Sequence, residues 1–218
     1  MLLLAKKRNN LNWTEFRNAL IEYKVFSTGD ARKYFPGFDT KRLVEWQKKN
    51  YIRKLINKWY LFAEIPVDEL LLFRVSNCLY QPSYISLESA LGFYNFIPEA
   101  VYSMQAITTR KTISYKTTAG TFNYRTLKPA FYFGYRILHK EKLPVLVAEP
   151  EKALLDYLYL TASLNTIKDM KALRMNYAAL RQTVDWNKLD NYAQVFKSKT
   201  LDKRIRHLKK LSLHADPA

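Results

Sequence analysis

The chain has 218 residues, 48% of them hydrophobic, and 36 Lys and Arg against 19 Asp and Glu give it a net charge of +17. That length allows one large or two modest domains with ample material for a buried core, and the charge exceeds what solubility needs, which narrows the partner to a polyanion: DNA, RNA or an anionic membrane surface. A single cysteine, Cys78, excludes an internal disulfide. No stretch approaches the ~18 uninterrupted apolar residues of a membrane span, and Met1 to Ala5 ahead of Lys6-Lys7-Arg8 reverses the order of a signal peptide, so the sequence predicts a soluble cytoplasmic protein.

From Asn12, the spacing of Trp13, Phe16, Leu20 and Tyr23 predicts a helix, with Asn12 and Glu15 placed as a capping box. The stretch Thr28 to Phe62 then carries a short helix, a tight turn, a second helix and a basic hairpin. Pro36-Gly37 breaks the first helix, and Asp39 can accept from the free backbone donors that open the second. Phe38 and Leu43 fit a hydrophobic staple. Leu43 and Trp46 share one helical face, while Lys41, Val44, Glu45 and Lys48 project from the other. Asn50 stands where a helix C-terminus needs tolerance of positive φ, and Ile52 to Leu55 and Trp59 to Phe62 read as strands around Ile56-Asn57-Lys58. That order is a winged helix-turn-helix, with a domain over 1–66 that ends near Pro66.

Asp68 to Leu79 reads as a connecting helix into a second domain, 67–218. There Ser86 can cap a helix through Leu91, and Ser103 to Thr109, Lys111 to Thr118, Thr121 to Leu127 and Tyr132 to Leu138 read as strands in antiparallel hairpins, with a turn at Ala119-Gly120. Leu143 to Ala148 adds a strand, and Pro150 suits the first turn of a helix over Glu151 to Leu160. Apolar spacing is helical again through Ile167, Met170 and Leu173, then Trp186, Leu189, Ala193 and Phe196, then Leu201, Ile205 and Leu208. The expected class is α+β: a winged helix-turn-helix domain, then a mixed α/β domain with antiparallel hairpins and a C-terminal helical set.

In Thr28 to Phe62 nine basic residues face three acids. On the recognition helix, Lys41 and Lys48 are placed to donate to guanine, Glu45 to accept from cytosine and Val44 to meet a thymine methyl. Arg42, Lys49, Arg53, Lys54 and Lys58, on the helix flank and wing, are placed to hold phosphates. Glu149, Glu151 and Asp156 raise the alternative of a nucleic-acid-processing enzyme, since paired carboxylates serve acid–base or metal chemistry. Their simpler reading is structural: acids at a helix N-terminus and a Lys152–Asp156 pair at i,i+4. The aromatics from Tyr115 to Tyr135 are either core or a stacking surface for single-stranded RNA, the feature behind a general RNA-binding alternative. His139, His207 and His214 lack the spacing of a metal site, and no P-loop, Rossmann or G-x-S-x-G motif occurs, so no metal, cofactor or catalytic residue is expected. From Lys197 to Lys210, seven basic residues stand against Asp202 alone, either a solvated face or a second phosphate-contacting surface.

Tyr84-Ile85-Ser86-Leu87-Glu88-Ser89-Ala90-Leu91, Phe96-Ile97-Pro98-Glu99, Gly120-Thr121-Phe122-Asn123-Tyr124-Arg125, Phe133-Gly134-Tyr135 and Val147-Ala148-Glu149-Pro150-Glu151-Lys152-Ala153-Leu154-Leu155-Asp156 form an ordered series. Over roughly residues 10 to 160 it resembles the AbiEi antitoxins of bacterial type IV toxin–antitoxin, or abortive-infection, operons. The resemblance implies a winged domain that binds operator repeats in the chain's own promoter and represses transcription. It also implies a C-terminal domain that counters a nucleotidyltransferase-like toxin, with or without a stable complex between the two proteins. The chain has neither the Gly-Ser turn nor the Asp-x-Asp pair of such a toxin.

Overall fold

A computed structural model describes residues 11–98, 103–138 and 144–214. The expectations placed on Met1 to Ala5, Glu99, His139, Leu143 and the His214 side chain lie outside what is described. The architecture is mixed α+β, with helices and a small sheet first, a larger sheet next and helices last.

Helix α1 spans Trp13–Leu20, and the Asn12 carboxamide accepts from the Glu15 N–H at 2.8 Å. Strand β1 (Val25–Ser27) runs into α2 (Thr28–Tyr34) through a capping box: Ser27 Oγ accepts from the Asp30 N–H at 3.1 Å, and the Asp30 carboxylate accepts from the Ser27 N–H at 2.8 Å. Gly37 turns the chain at φ 80°, and α3 (Lys41–Lys48) begins with the Lys41 N–H donating to Asp39 at 2.9 Å. Asn50, at φ 57°, ends α3 as the αL residue of a Schellman motif in which the N–H of Tyr51 reaches the Trp46 carbonyl at 2.9 Å and that of Asn50 reaches Gln47 at 3.0 Å. Strands β2 (Ile52–Ile56) and β3 (Trp59–Phe62) form an antiparallel hairpin that β1 joins, in the order β1-β3-β2.

This small sheet has two apolar faces, as a period of two dictates. Phe26, Ile52, Tyr60 and Phe62 close a core with Phe16, Leu20, Leu43 and Trp46, while Val25, Leu55 and Leu61 belong to the larger core of the second region. The helix α4 (Glu69–Leu79), expected as a connector, is instead buried from Phe73 to Leu79 and forms one layer of that larger core.

The remaining elements are β4 (Ser83–Ile85), α5 (Leu87–Phe93), β5 (Ser103–Thr108), β6 (Ile113–Thr117), β7 (Gly120–Thr126), β8 (Tyr135–Leu138), β9 (Val145–Ala148) and α6 (Pro150–Leu160), followed by α7 (Ile167–Ala172), α8 (Tyr177–Thr183), α9 (Trp186–Phe196) and α10 (Lys199–His214). The sheet order is β6-β7-β5-β4-β9-β8. Antiparallel hairpins describe only part of it: β6 pairs β7 and β8 pairs β9 in that sense, but β5 lies parallel to β7 over its full length and β4 parallel to β9. Gly120 marks the β6–β7 turn locally, whereas the β5–β7 pairing skips a strand and leaves no local signal.

Two helices cover opposite faces of this sheet. Tyr84, Ile107 and Arg125 are in register, and from that face the Tyr84 hydroxyl donates to Asp156 and Arg125 to the Leu160 carbonyl, both on α6. Tyr124, one residue before Arg125, points the other way and donates to the Ser76 carbonyl on α4 at 2.7 Å. The N-terminal region docks on the α4 side, where β1 packs on α4 and Thr118 Oγ1 donates to the Lys54 carbonyl at 3.1 Å.

Candidate nucleic-acid interface

Helix α3 is two-faced. Leu43 and Trp46 are buried, held by the ring stack of Trp13, Phe16 and Phe38, and this packing turns Lys41, Val44, Glu45 and Lys48 outward, all exposed. Val44 keeps 53% of its surface exposed. Lys49, Lys54 and Lys58 are exposed too, and Arg42 is half-buried on the α3 flank. Among the described residues none of these cations forms an ion pair. Lys58 takes φ 70° at the hairpin turn, where its carbonyl accepts from the Thr28 N–H at 2.9 Å, so the hairpin end is fixed to the start of α2.

Arg53 differs from the other eight residues in this group. It pairs with Leu61 across the hairpin, on the side that faces the larger core, and its Nε is buried with no hydrogen-bond partner among the described residues. Lys54 pairs with Tyr60 on the other side and stays exposed. Sequence spacing alone assigned both to the wing without separating them. The bulge between Lys54 and Ile56 shifts the register there. Arg32 and Lys33, exposed on α2, extend the cationic surface, with Lys33 3.9 Å from Asp30.

The three carboxylates considered for catalysis do not share one set of partners. Glu149 accepts from Tyr192 at 2.7 Å and lies 3.1 Å from Lys188, while Glu151 accepts from the Asp185 N–H at 2.9 Å and lies 3.4 Å from the same lysine, so both fasten α6 to α9. Burial alone would lower Lys188, but these two acids hold it above the usual lysine range. Asp156 instead sits in a fully buried cluster. Its carboxylate accepts from Lys152 and, at 2.8 Å each, from the hydroxyls of Tyr84 and Ser86, and Lys152 also donates to the Tyr84 oxygen at 2.8 Å. Burial pushes Asp156 above the usual carboxylate range and Lys152 below the usual lysine range, against their mutual attraction. Ser86 therefore spends its hydroxyl on Asp156 and makes no side-chain cap to α5, contrary to the sequence expectation. The i,i+4 spacing of Lys152 and Asp156 was legible, but their burial was not.

The aromatics between Tyr115 and Tyr135 serve mainly as packing: Phe122, Tyr124 and Phe131 are buried, and Tyr132 and Tyr135 pack against Tyr84. Among the described residues no group of His, Cys, Asp and Glu is placed to hold a metal ion, and no helix is long and apolar enough to cross a membrane. A scan against models of known protein families found no match, and a search of curated proteins found none either.

Proposed function

We propose that residues 1–66 are a winged helix-turn-helix that binds double-stranded DNA, and that the chain is a cytoplasmic, non-enzymatic repressor of its own operon. The observation that carries this reading is the division of α3: Leu43 and Trp46 anchor it, leaving Lys41, Val44, Glu45 and Lys48 exposed on one face. In that reading α3 enters the major groove. Lys41 and Lys48 donate to guanine, Glu45 accepts from cytosine and Val44 meets a thymine methyl, while Arg42, Lys49, Lys54 and Lys58 neutralise phosphates. Arg53 contributes less, because its side shares the larger core. The resemblance to AbiEi antitoxins supports the further reading that residues 67–218 counter a nucleotidyltransferase-like toxin encoded beside the chain.

Binding to duplexes tiled across the chain's own promoter tests the first part. Lys41→Ala or Lys48→Ala weakens the preferred site by about 1–3 kcal/mol and relaxes its selectivity. Lys54→Ala and Lys58→Ala weaken all duplexes alike and flatten the salt dependence by ~0.9 per lost phosphate contact. Equal losses from both sets on every sequence would overturn the assignment. Co-expression with the neighbouring gene product tests the second part: growth rescue by the Lys41→Ala/Lys48→Ala chain separates antitoxin action from repression, and no rescue by the wild-type chain removes the antitoxin reading.

A further inference from the structure

The cations of α10 are not used by that reading. Lys199, Lys203, Arg206 and Lys210 follow i, i+4, i+7 and i+11, which places them in one narrow row on a helix of 16 residues, over ~16 Å at the helical rise of about 1.5 Å per residue. All four are exposed, opposite the buried stripe of Leu201, Ile205 and Leu208. The other two helix cations are engaged: Arg204 is buried on the carbonyls of Leu158, Ala162 and Leu164, and Lys209 pairs with Asp190 at 2.6 Å. None of the four in the row forms an ion pair among the described residues. Like charges four apart weaken a helix, so an unbalanced row of them does not serve the stability of α10.

At the head of the row a cavity of 360 Å³ is lined by Leu164, Asn165, Lys199, Thr200, Lys203 and Arg204. Among the described residues the exposed arc carries no Phe, Tyr or Trp on which a base could stack, and the helix's apolar stripe is inside the core, so that apart from the exposed Leu213 it has no apolar face to bury in a membrane interface. What remains is a rigid, straight row of cationic donors, an arrangement that suits the repeating phosphates of a nucleic-acid backbone. Helix α10 packs on α6, α7, α8 and α9, whereas the N-terminal region docks on the α4 side of the sheet. The two cationic surfaces thus have the larger sheet between them.

We infer that the α10 row is a second, sequence-independent contact for duplex DNA, which lets one chain bridge two DNA segments. The inference rests on the DNA-binding reading of α3: a chain seated on its site holds α10 among neighbouring duplex at high effective concentration, which favours DNA over other polyanions.

The test uses the full chain on beads that carry the preferred promoter duplex, with a labelled unrelated duplex in solution. The wild type captures the second duplex at 50 mM salt and releases it by 200 mM, a loss of roughly two orders of magnitude for four phosphate contacts. The variant Lys199→Ala/Lys203→Ala/Arg206→Ala/Lys210→Ala occupies the beads as the wild type does but captures no second duplex, and Lys→Arg changes at 199, 203 and 210 preserve capture. Undiminished capture by the alanine variant overturns the inference, as does stronger capture of duplex RNA or of anionic vesicles than of DNA. A wild-type chain that never shows a preferred promoter duplex refutes the α3 reading instead. The alanine variant must then still flatten the salt dependence of binding to unrelated duplex in solution, and if it does not, this inference falls as well.

Discussion

In the N-terminal region Lys41, Lys48, Lys49, Lys54 and Lys58 stand exposed without a described ion-pair partner, whereas beyond residue 66 the charges of Lys152, Asp156, Glu151 and Arg204 are buried and each is partnered. The contrast separates two uses of charge. An exposed cation on a rigid helix keeps its interaction for a ligand, because water screens it until an anion arrives. A buried charge has lost its hydration and depends on its neighbours, so it fixes how elements meet: Lys152 and Asp156 join α6 to β4, Glu151 joins α6 to α9, and Arg204 joins α10 to the chain that leaves α6. Substitutions in the two groups should therefore fail in different assays.

The largest effect belongs to Lys152→Met, which leaves Asp156 buried beside two hydroxyls without a counter-ion. It should cost about 3–5 kcal/mol in denaturant unfolding, while Lys152→Met/Asp156→Leu recovers most of that loss, because removing both charges removes the need to pair them. A double variant as unstable as the single one would show that the pair does more than neutralise itself. Next comes Arg204→Leu. It leaves the carbonyls of Leu158, Ala162 and Leu164 without the guanidinium that meets them at 2.5, 3.2 and 2.6 Å, and should cost about 1–3 kcal/mol. Neither variant should alter the salt dependence of the DNA binding proposed for α3 at temperatures where it remains folded. A changed slope in either would blur the division between the two uses of charge.

Asn50→Ala probes the N-terminal side at a smaller scale. Asn50 holds φ 57° at the end of α3, a conformation that costs an ordinary L-residue about 1 kcal/mol, so Ala should lose roughly that much and Gly should not. Because the same residue ends the helix that carries Lys41 and Lys48, the substitution also tests whether a frayed α3 weakens the preferred duplex more than an unrelated one.

The N-terminal elements were legible because their signals are local. Asn12, Pro36-Gly37, Asp39 and Asn50 each act within a few residues, and the alternation of Leu43 and Trp46 with Lys41 and Lys48 needs only the helical period. The second region was read less well where its contacts are distant in sequence. Ser83–Ile85 is buried on both faces, so it shows no alternation and did not read as a strand. The parallel β5–β7 pair, the diversion of Ser86 to Asp156 and the role of Arg204 depend on partners between roughly 15 and 70 residues away. Arg53 was hidden for a different reason: neighbours on a strand alternate, so Arg53 shares its face with Leu55 and Leu61, and it is the distant second region, not a residue of Ile52 to Phe62, that covers that face.

Cys78 offers the smallest perturbation and a direct view of the boundary between the regions. It lies on α4, and burial pushes its thiol up to about 12, with Arg74 opposing that shift and Asp30 of the N-terminal region adding to it. Since the thiolate is the reactive form, a thiol reagent at pH 8 should label the folded chain at least a thousandfold more slowly than the unfolded chain, whose thiol has a pKa near ~8.5. In the folded state the rate should still be climbing about tenfold per pH unit at pH 10, where the unfolded chain has levelled off. Saturating promoter DNA should leave the rate unchanged if the N-terminal region binds while docked on α4. Acceleration by DNA would mean that the two regions part on binding, and the bridging geometry inferred for α10 would then have to be redrawn around a moving joint at residues 63–68.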